Sequence, residues 1–301
     1  DASQGPLNCR WPSVAACVYY VLKACLDPEL PPNAGAYRPI DISVREGSIL
    51  SAVYPNAVCN ANIITTQRIV DVLLLALSQA LPEKVQAASS GTMNLLNIGG
   101  IHPVKDIYYN YIETYGGGQG AMVGADGMDA VQNHMTNTRN APVESIEVAY
   151  PLVVESYGLV PDSEGPGEYR GGVGIQRSVR VVGNPVQLTL SSDRAKTPPW
   201  GLFGGYPAKP SRFRVKSPDG NIQSLGSKFT TRIAADHVMM TETPGGGGWG
   251  DPLQRNTEAV ADDVREGLVS LDRARKVYGV VFDGNLNVEV SETEKLRRGK
   301  M

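Results

Sequence analysis

The side chains best suited to chemistry lie in one dense polar segment, HMTNTRNAPVE at residues 134–144. It contains His134, one of only three histidines in the chain, together with Asn137 and Arg139. Burying so many polar groups costs free energy unless they are paired. The segment is therefore either a hydrogen-bonded loop network or a binding site, and the residue types leave both interpretations open.

The other two histidines favour structural roles. His102 precedes Pro103 at a predicted turn, and His237 lies on one face of a predicted strand. The sequence contains no HExxH, HxH or carboxylate–histidine cluster with metal-ligand spacing, no GxSxG elbow and no Walker A motif. It therefore predicts no metal site, serine nucleophile or phosphate loop that is complete within this chain.

Two further polar clusters could face a ligand. One lies at the start of a predicted helix, where Arg68 and Asp71 are three residues apart. A helix N-terminus attracts anions, but the alternative is a capping network in which Arg68 pairs with Asp71. The second cluster is the small polar turn SSGTMN at residues 89–94, which ends at Asn94.

Glycine accounts for 33 of the 301 residues, and much of it falls in runs at residues 116–118, 171–172 and 245–248. Glycine adopts backbone conformations that other residues avoid. Glycine-rich loops can bring backbone N–H groups close to an anion, although most such loops are turns. We predict turns here, because no βαβ unit with a downstream acid accompanies the runs.

Hydrophobic spacing indicates the elements that must position these residues. Apolar residues recur at helical spacing from Val14 to Cys25, which predicts a helix that ends at Asp27-Pro28. A second helix is predicted from Gln67 to Leu81, and its apolar middle indicates burial on most sides. Short strands are predicted at residues 40–44 and 48–53.

Most of the later chain is predicted to be β. The candidate strands lie at residues 108–113, 147–149, 153–159, 177–182, 186–191, 212–216 and 237–242. Two short helices are predicted at residues 258–266 and 271–278, followed by a frayed end at residues 292–301.

The predicted fold class is therefore α+β. It comprises an α/β N-terminal third with a buried helix, a glycine-rich middle, a β-rich C-terminal half and a short helical tail. The expected division is into residues 1–145, 146–252 and 253–301.

Composition excludes several classes of partner. A net charge of −3 and a pI near 5.7 offer no basic surface for nucleic acid or an anionic membrane. The most apolar stretch, residues 72–77, is too short for a bilayer, which takes about 20 residues, and residues 1–8 lack the features of a signal peptide. Four cysteines without a CxxC pair are interpreted as buried side chains in a reducing compartment, which predicts a cytoplasmic protein.

The order of motifs along the chain resembles the hydantoinase B family, and the resemblance extends to Gly279. So many blocks in the right order are far more specific than any one glycine motif. The blocks are GPLNC at 5–9, NAGAYRPI at 33–40, TQRIVD at 66–71, GTMN at 91–94, ETYGGG at 113–118, GADG at 124–127, the polar segment at 134–144, YRGGVG at 169–174, SDR at 192–194, PWGLFGG at 199–205 and ETPGGGGWGDP at 242–252.

This resemblance implies one part of an ATP-dependent enzyme. The family includes N-methylhydantoinase B, the B portion of 5-oxoprolinase, caprolactamase, and the large subunits of acetone and acetophenone carboxylases. It implies a hydantoinase A-type partner that binds ATP and phosphorylates an amide or enolate oxygen. Family members are usually much longer, and their N-terminal half has an Asp- and His-rich region thought to hold a divalent metal. We therefore expect the missing N-terminal half as a second partner, with the metal on that half.

The resemblance implies ATP-dependent opening of a cyclic amide such as hydantoin, 5-oxoproline or a lactam. Two alternatives stay open: a ketone carboxylase subunit of the acetone carboxylase type, and a non-catalytic assembly scaffold. The polar loops supply the expected site residues. Those expected to be catalytic are His134, Glu113 and Asp126, and those expected to contact substrate are Arg68, Asn94, Asn137 and Arg139.

Overall fold

Helices come first along the chain in the computed structural model, which describes residues 1–300. Helix α1 (Trp11–Leu26) has proline in its first turn and ends before Asp27-Pro28, as predicted. It packs on α3 (Thr66–Leu77), which continues a π-helical turn at Ala61–Thr65. The short helix α2 (Ala34–Tyr37) lies between them in sequence, capped by the side chain of Asn33.

Nine antiparallel strands within residues 1–300 form two sheets, with the orders β2-β1-β5-β8 and β3-β4-β9-β6-β7. Ile98 at the centre of β1 lies opposite Tyr111 of β2 and Leu188 of β5. The strands are β1 (Leu95–Ile101), β2 (Tyr108–Thr114), β3 (Leu152–Leu159), β4 (Ile175–Val181), β5 (Val186–Ser191), β6 (Arg212–Lys216), β7 (Ile222–Leu225), β8 (Lys228–Ile233) and β9 (Val238–Glu242).

The main core lies between the two sheets. Inward side chains alternate with outward ones along the strands, as a half-buried sheet requires. Leu96 and Leu188 from the first sheet pack in the same buried cluster as Val179, Phe213 and Met239 from the second. The sheets therefore form a sandwich, and with the helices they confirm the α+β class.

The first sheet combines β1 and β2 with β5 and β8, which lie on the other side of the boundary predicted at residue 145. The division of the chain into three regions stays a prediction. The helical tail has a small core of its own around Val260 and Tyr278. Its helices are α5 (Thr257–Arg265), α6 (Leu271–Arg273) and α7 (Val290–Arg298), whereas α4 (Val143–Ala149) directly precedes the second sheet.

Two predicted N-terminal strands are wrong, because residues 40–44 and 48–53 form loops and turns. The backbone there binds the start of the chain: Cys9 N–H donates to Ile49 O at 2.7 Å, and Ala52 N–H donates to Cys9 O at 2.9 Å. The strand predicted at residues 147–149 is also wrong, since these residues end α4. Three residues are too few for periodicity to separate helix from strand.

The C-terminal end predicted to be frayed is instead largely helical, as α7. Arg297 fixes it by donating to Tyr278 O at 3.0 Å and to Arg255 O at 2.8 Å.

The second helix was predicted to be buried on most sides, and this prediction is wrong. α3 stops at Leu77, four residues earlier than predicted, and it exposes Val72 and Leu75 while burying Thr66, Gln67 and Asp71. The face it turns inward is therefore partly polar. Among the cysteines, the three in the first 25 residues are buried as predicted, whereas Cys59 is exposed.

The glycine runs lie where backbone segments pack too closely for any side chain. A Cβ on Gly118 would lie 2.0 Å from the carbonyl oxygen of Gly172, and one on Gly246 would lie 1.9 Å from that of Gln119. Gly172 N–H donates to Gln119 O, and Gly246 N–H donates to Gly172 O, both at 2.8 Å. The runs are thus packed extended backbone, and the predicted turns are wrong at these positions.

We expect Gly246→Ala to destabilise the protein by about 3 kcal/mol or more, because the added methyl group meets backbone that cannot rotate away. This corresponds to a fall of roughly 6–12 °C in melting temperature. Gly226→Ala is the matched control, since nothing lies within 4 Å of its Cβ position. Equal melting temperatures for the two variants in calorimetry would contradict the packing argument.

Candidate functional site

A buried carboxylate on α3 joins three separate parts of the chain. Asp71 accepts a hydrogen bond from the guanidinium of Arg194, which follows β5, and one from Nε2 of His134 at 3.2 Å. Arg68, one helical turn earlier, approaches the same carboxylate at 3.8 Å. The Arg68–Asp71 pair considered from the sequence therefore exists, within a larger charge cluster.

Arg194 is the main counter-charge of this cluster, and its side chain is fully buried. Its Nε donates to Ser90 O at 3.3 Å and its Nη2 donates to Ser89 O at 3.1 Å. Burial lowers the pKa of Arg194 to about 10, an effect that the negative charge of Asp71 opposes. The guanidinium therefore remains charged at neutral pH.

Gly91, in the SSGTMN turn, lies directly against the ion pair of Asp71 and Arg194. Its φ is +59°, and a Cβ there would lie 2.6 Å from Oδ2 of Asp71 and 2.8 Å from Nη2 of Arg194. Any side chain would collide with the ion pair as well as strain the backbone. The turn is shaped around the charge cluster.

The polar segment begins with two residues in left-handed conformations, His134 at φ +22° and Met135 at φ +58°. Non-glycine residues with positive φ are uncommon and cluster at functional sites. The side chain of Gln67 holds this turn, since its Nε2 donates to His134 O at 2.6 Å. Helix α3 thus fixes both the ring and the backbone of His134.

A cleft of about 390 Å³ opens beside this turn. Most of its polar lining is neutral amide and hydroxyl groups. The lining includes Asn62, Thr66, Gln67, Met93, Met135 and Asn137.

Oε1 of Gln67 is buried without a hydrogen-bond partner within residues 1–300. Because Nε2 of the same amide is committed to His134 O, the oxygen is left as an acceptor at a residue that lines the cleft. Amide side chains offer both a donor and an acceptor. The cleft is therefore suited to a small neutral ligand with N–H and C=O groups.

A second cleft of about 650 Å³ lies between β2 and α4, with Glu113 and Arg139 in its lining. Glu113 accepts hydrogen bonds from Arg177 at 2.7 Å, from Ala141 N–H at 2.6 Å and from the hydroxyl of Tyr111. Burial raises the pKa of Tyr111, with the charge of Glu113 among the further causes. Glu113 is thus held by three donors from three elements.

Asp126 lies in a different network. Its carboxylate accepts two hydrogen bonds of 2.7 Å from Arg255, and it also accepts one from Arg170 N–H at 2.8 Å. Both arginine side chains also bind Asp263 of α5. These contacts anchor the helical tail to the glycine-rich middle.

The predicted site residues thus fall into separate groups. His134 and Arg68 meet at Asp71, and Asn137 lines the neighbouring cleft. Asn94 is fully buried, where it donates to Tyr115 O at 3.0 Å and accepts from Ser192 at 2.7 Å. The sequence placed Gln67 and Asp71 in a polar cluster that could face a ligand, but neither of them, nor Arg194, was selected as a site residue. The available signal was an acid within an otherwise apolar helix and an arginine directly after a buried strand.

Within residues 1–300, no three His, Cys, Asp or Glu side chains are grouped so that they could hold a metal ion. The residues of this chain therefore do not by themselves fit the divalent metal that the family resemblance implies. Over the same residues, no helix is both long and apolar enough to cross a membrane.

Residues 1–252 match the sequence model of the family described as hydantoinase B/oxoprolinase. An uncharacterized protein of Methanocaldococcus jannaschii is 38% identical over 295 residues, which are 97% of this chain and 51% of that protein. Caprolactamase subunit beta of Pseudomonas jessenii is 31% identical over 281 residues, which are 89% of this chain and 48% of that subunit. The chain thus spans about half the length of these relatives.

Solved structures share the fold. The crystal structure of the ATP-dependent caprolactamase from Pseudomonas jessenii superposes with a TM-score of 0.82 and 26% identity, over 99% of this chain and 53% of that chain. The nucleotide-free structure of acetone carboxylase gives a TM-score of 0.82 at 23% identity, over 98% of this chain and 45% of that chain.

We expect Arg194→Met to lower the free energy of unfolding by about 3–5 kcal/mol, because it leaves the buried Asp71 carboxylate without its main partner. Arg265→Met is the matched control, since Arg265 forms an exposed ion pair with Asp262 and should contribute at most about 1 kcal/mol. Urea denaturation measures both. Similar losses from the two changes would contradict a structural role for the cluster.

Proposed function

Because the chain belongs to the hydantoinase B/oxoprolinase family, we propose that it is a subunit of an ATP-dependent enzyme that opens a cyclic amide. Hydantoin, 5-oxoproline and lactams are the proposed substrate class. The observation that carries the proposal is the unpartnered, buried Oε1 of Gln67, a residue that lines a cleft of neutral amides and hydroxyls. A buried acceptor without a partner is costly, and an amide N–H would satisfy it.

In the proposed complex, Oε1 of Gln67 accepts the ring N–H, and Asn137 or Asn62 donates to the neighbouring carbonyl oxygen. The cleft volume suits a single small ring. A site that pairs both groups of an amide discriminates strongly against ligands that lack them, since its own polar groups would be left unpaired.

The contacts of His134 support a positioning role: its carbonyl orients Gln67, and its ring is anchored to Asp71. The catalytic roles predicted for His134, Glu113 and Asp126 stay predictions. So do the substrate contacts predicted for Arg68, Asn94 and Arg139. Of these six residues, we propose that Asp126 and Asn94 act by holding the loops in place, given their hydrogen bonds.

A hydantoinase A-type partner is proposed to bind ATP and to transfer its γ-phosphoryl group to the amide oxygen. Water then attacks the activated carbon, and the ring C–N bond breaks. The products are a ring-opened molecule with a carboxylate and the released N–H group, together with ADP and phosphate. The part of a hydantoinase B-type protein that this chain does not span is proposed as a further partner, with the divalent metal on it. We propose a cytoplasmic assembly, consistent with the free cysteines.

The assembled enzyme, incubated with ATP and hydantoin, 5-oxoproline or ε-caprolactam in turn, should form ring-opened product and ADP in equal amounts with at least one substrate. Ring opening that does not require ATP would contradict the proposal. So would bicarbonate-dependent consumption of acetone without any ring opening, which is the outcome for the carboxylase alternative. The similarity to acetone carboxylase is a similarity of fold.

Asn137→Ala should lower kcat/KM about tenfold or more, the loss expected for one hydrogen bond to the reacting amide. Asn137 is exposed in the cleft, so the melting temperature should not change. Asn285→Ala, in the exposed tail, is the control and should retain full activity. Unchanged turnover of the assembled Asn137→Ala enzyme would favour the scaffold alternative.

A further inference from the structure

Strand β2 forms one edge of the first sheet and leaves its outer side open. Within residues 1–300, no backbone hydrogen bond joins Tyr108–Thr114 to any strand or loop other than β1. Only the last carbonyl, that of Thr114, is covered, by the side chain of Asn140 at 2.8 Å. In an antiparallel pair about half of the residues direct their N–H and C=O groups away from the partner strand. The open edge therefore presents a row of backbone donors and acceptors.

The other three sheet edges have features that discourage further strand pairing. β8 has the exposed side chains of Lys228 and Arg232, and β7 is only four residues long. β3 is interrupted by an irregularity in register at Glu155, whose carboxylate pairs with Arg180. Charged side chains, short edges and bulges are the usual means by which proteins block edge-to-edge association.

β2 has none of these features. Its sequence, YYNYIET, contains no lysine or proline, and its pairing with β1 runs without a break over seven residues. Its one charged side chain, Glu113, is turned inward and neutralised by Arg177. On the outward face Tyr108 and Ile112 are 69% and 56% exposed. A long, unbroken edge with exposed hydrophobic side chains of this kind is normally covered in the functional protein.

The 650 Å³ cleft lies along the C-terminal half of this edge, with residues 111–114 of β2 on one side and α4 on the other. Ile112, Ile146 and Ala149 make its walls apolar, and the exposed Arg139 lies at the end formed by the polar segment. The four strand residues that line it extend over about 13 Å. A groove between an edge strand and a helix is the geometry in which peptides add to a sheet by main-chain hydrogen bonds.

We propose that this groove holds an added β-strand from the part of a hydantoinase B-type protein that this chain does not span. The relatives contain about as many residues again as those matched here, so they have the chain length to supply it. Alternate apolar side chains of the added strand contact Ile112 and α4, and an acidic side chain pairs with Arg139. The identity of the strand rests on the proposed function, whereas the open edge does not.

Cross-linking in the native assembly tests the proposal. In a Cys59→Ser background, which removes the exposed thiol, Ile112→Cys is labelled with a thiol-linked photoreactive probe and irradiated. Mass spectrometry should identify a peptide from the remainder of the hydantoinase B-type protein. Thr230→Cys on β8 is the matched control and should give no such product. Cross-links to a second copy of this chain, to an unrelated protein or to nothing would each overturn the proposal.

Hydrogen exchange provides a second measurement that does not depend on a variant. Amides of β2 should exchange at least tenfold more slowly in the assembly than in the isolated chain, whereas amides of the β8 edge should not change. Equal rates for β2 would overturn the proposal. Neither readout uses ATP or substrate, so an assembly that cross-links as expected but opens no cyclic amide contradicts the proposed function alone.

Discussion

The buried carboxylate of Asp71 is the constraint on which the helical part of the site depends. A charged side chain on the inner face of a helix must be paired. Without a partner, the free-energy cost of removing the charge from water is not compensated. Arg194 comes from the loop after β5, and His134 comes from the polar segment. Because both must reach one point, α3, the end of β5 and the turn at His134 are fixed relative to one another. The orientation of Gln67 in the cleft follows from that arrangement.

In the middle of the chain, glycine allows backbone segments to pack closely against one another. The segments around Gly118, Gly172 and Gly246 satisfy one another through backbone hydrogen bonds at separations that exclude a Cβ. This packing is rigid because backbone has few ways to move aside. It connects the second sheet to the loops next to α3, while Arg255 and Asp126 attach the helical tail to the same region. Rigid elements of this kind hold polar loops more accurately than flexible connections do.

The sequence predicted most of the second sheet, because alternation marks strands such as β4 and β6 clearly. It missed β1, β7 and β8. β1 contains two adjacent glycines, which weaken any strand signal. It also misjudged α3, since a continuous apolar run does not say which side faces solvent. His134 was chosen from the sequence as a candidate site residue, but its hydrogen-bond partner Asp71 is 63 residues away in sequence. Contacts of that length depend on the tertiary fold, and local patterns do not encode them.

Unsatisfied buried groups are rare in native proteins, so their distribution in this chain is informative. Gln67, Arg68 and Asn133 have such atoms around the Asp71 cluster, within residues 1–300. Tyr115 and Arg177 have them beside Glu113, close to the open edge of β2. Among these five residues, Gln67 is the one that lines either of the two clefts. One adjoins neutral amide groups and suits a small polar ligand; the other adjoins a bare strand and suits polypeptide. The different linings of the two clefts thus distinguish the position proposed for the substrate from the position proposed for a partner.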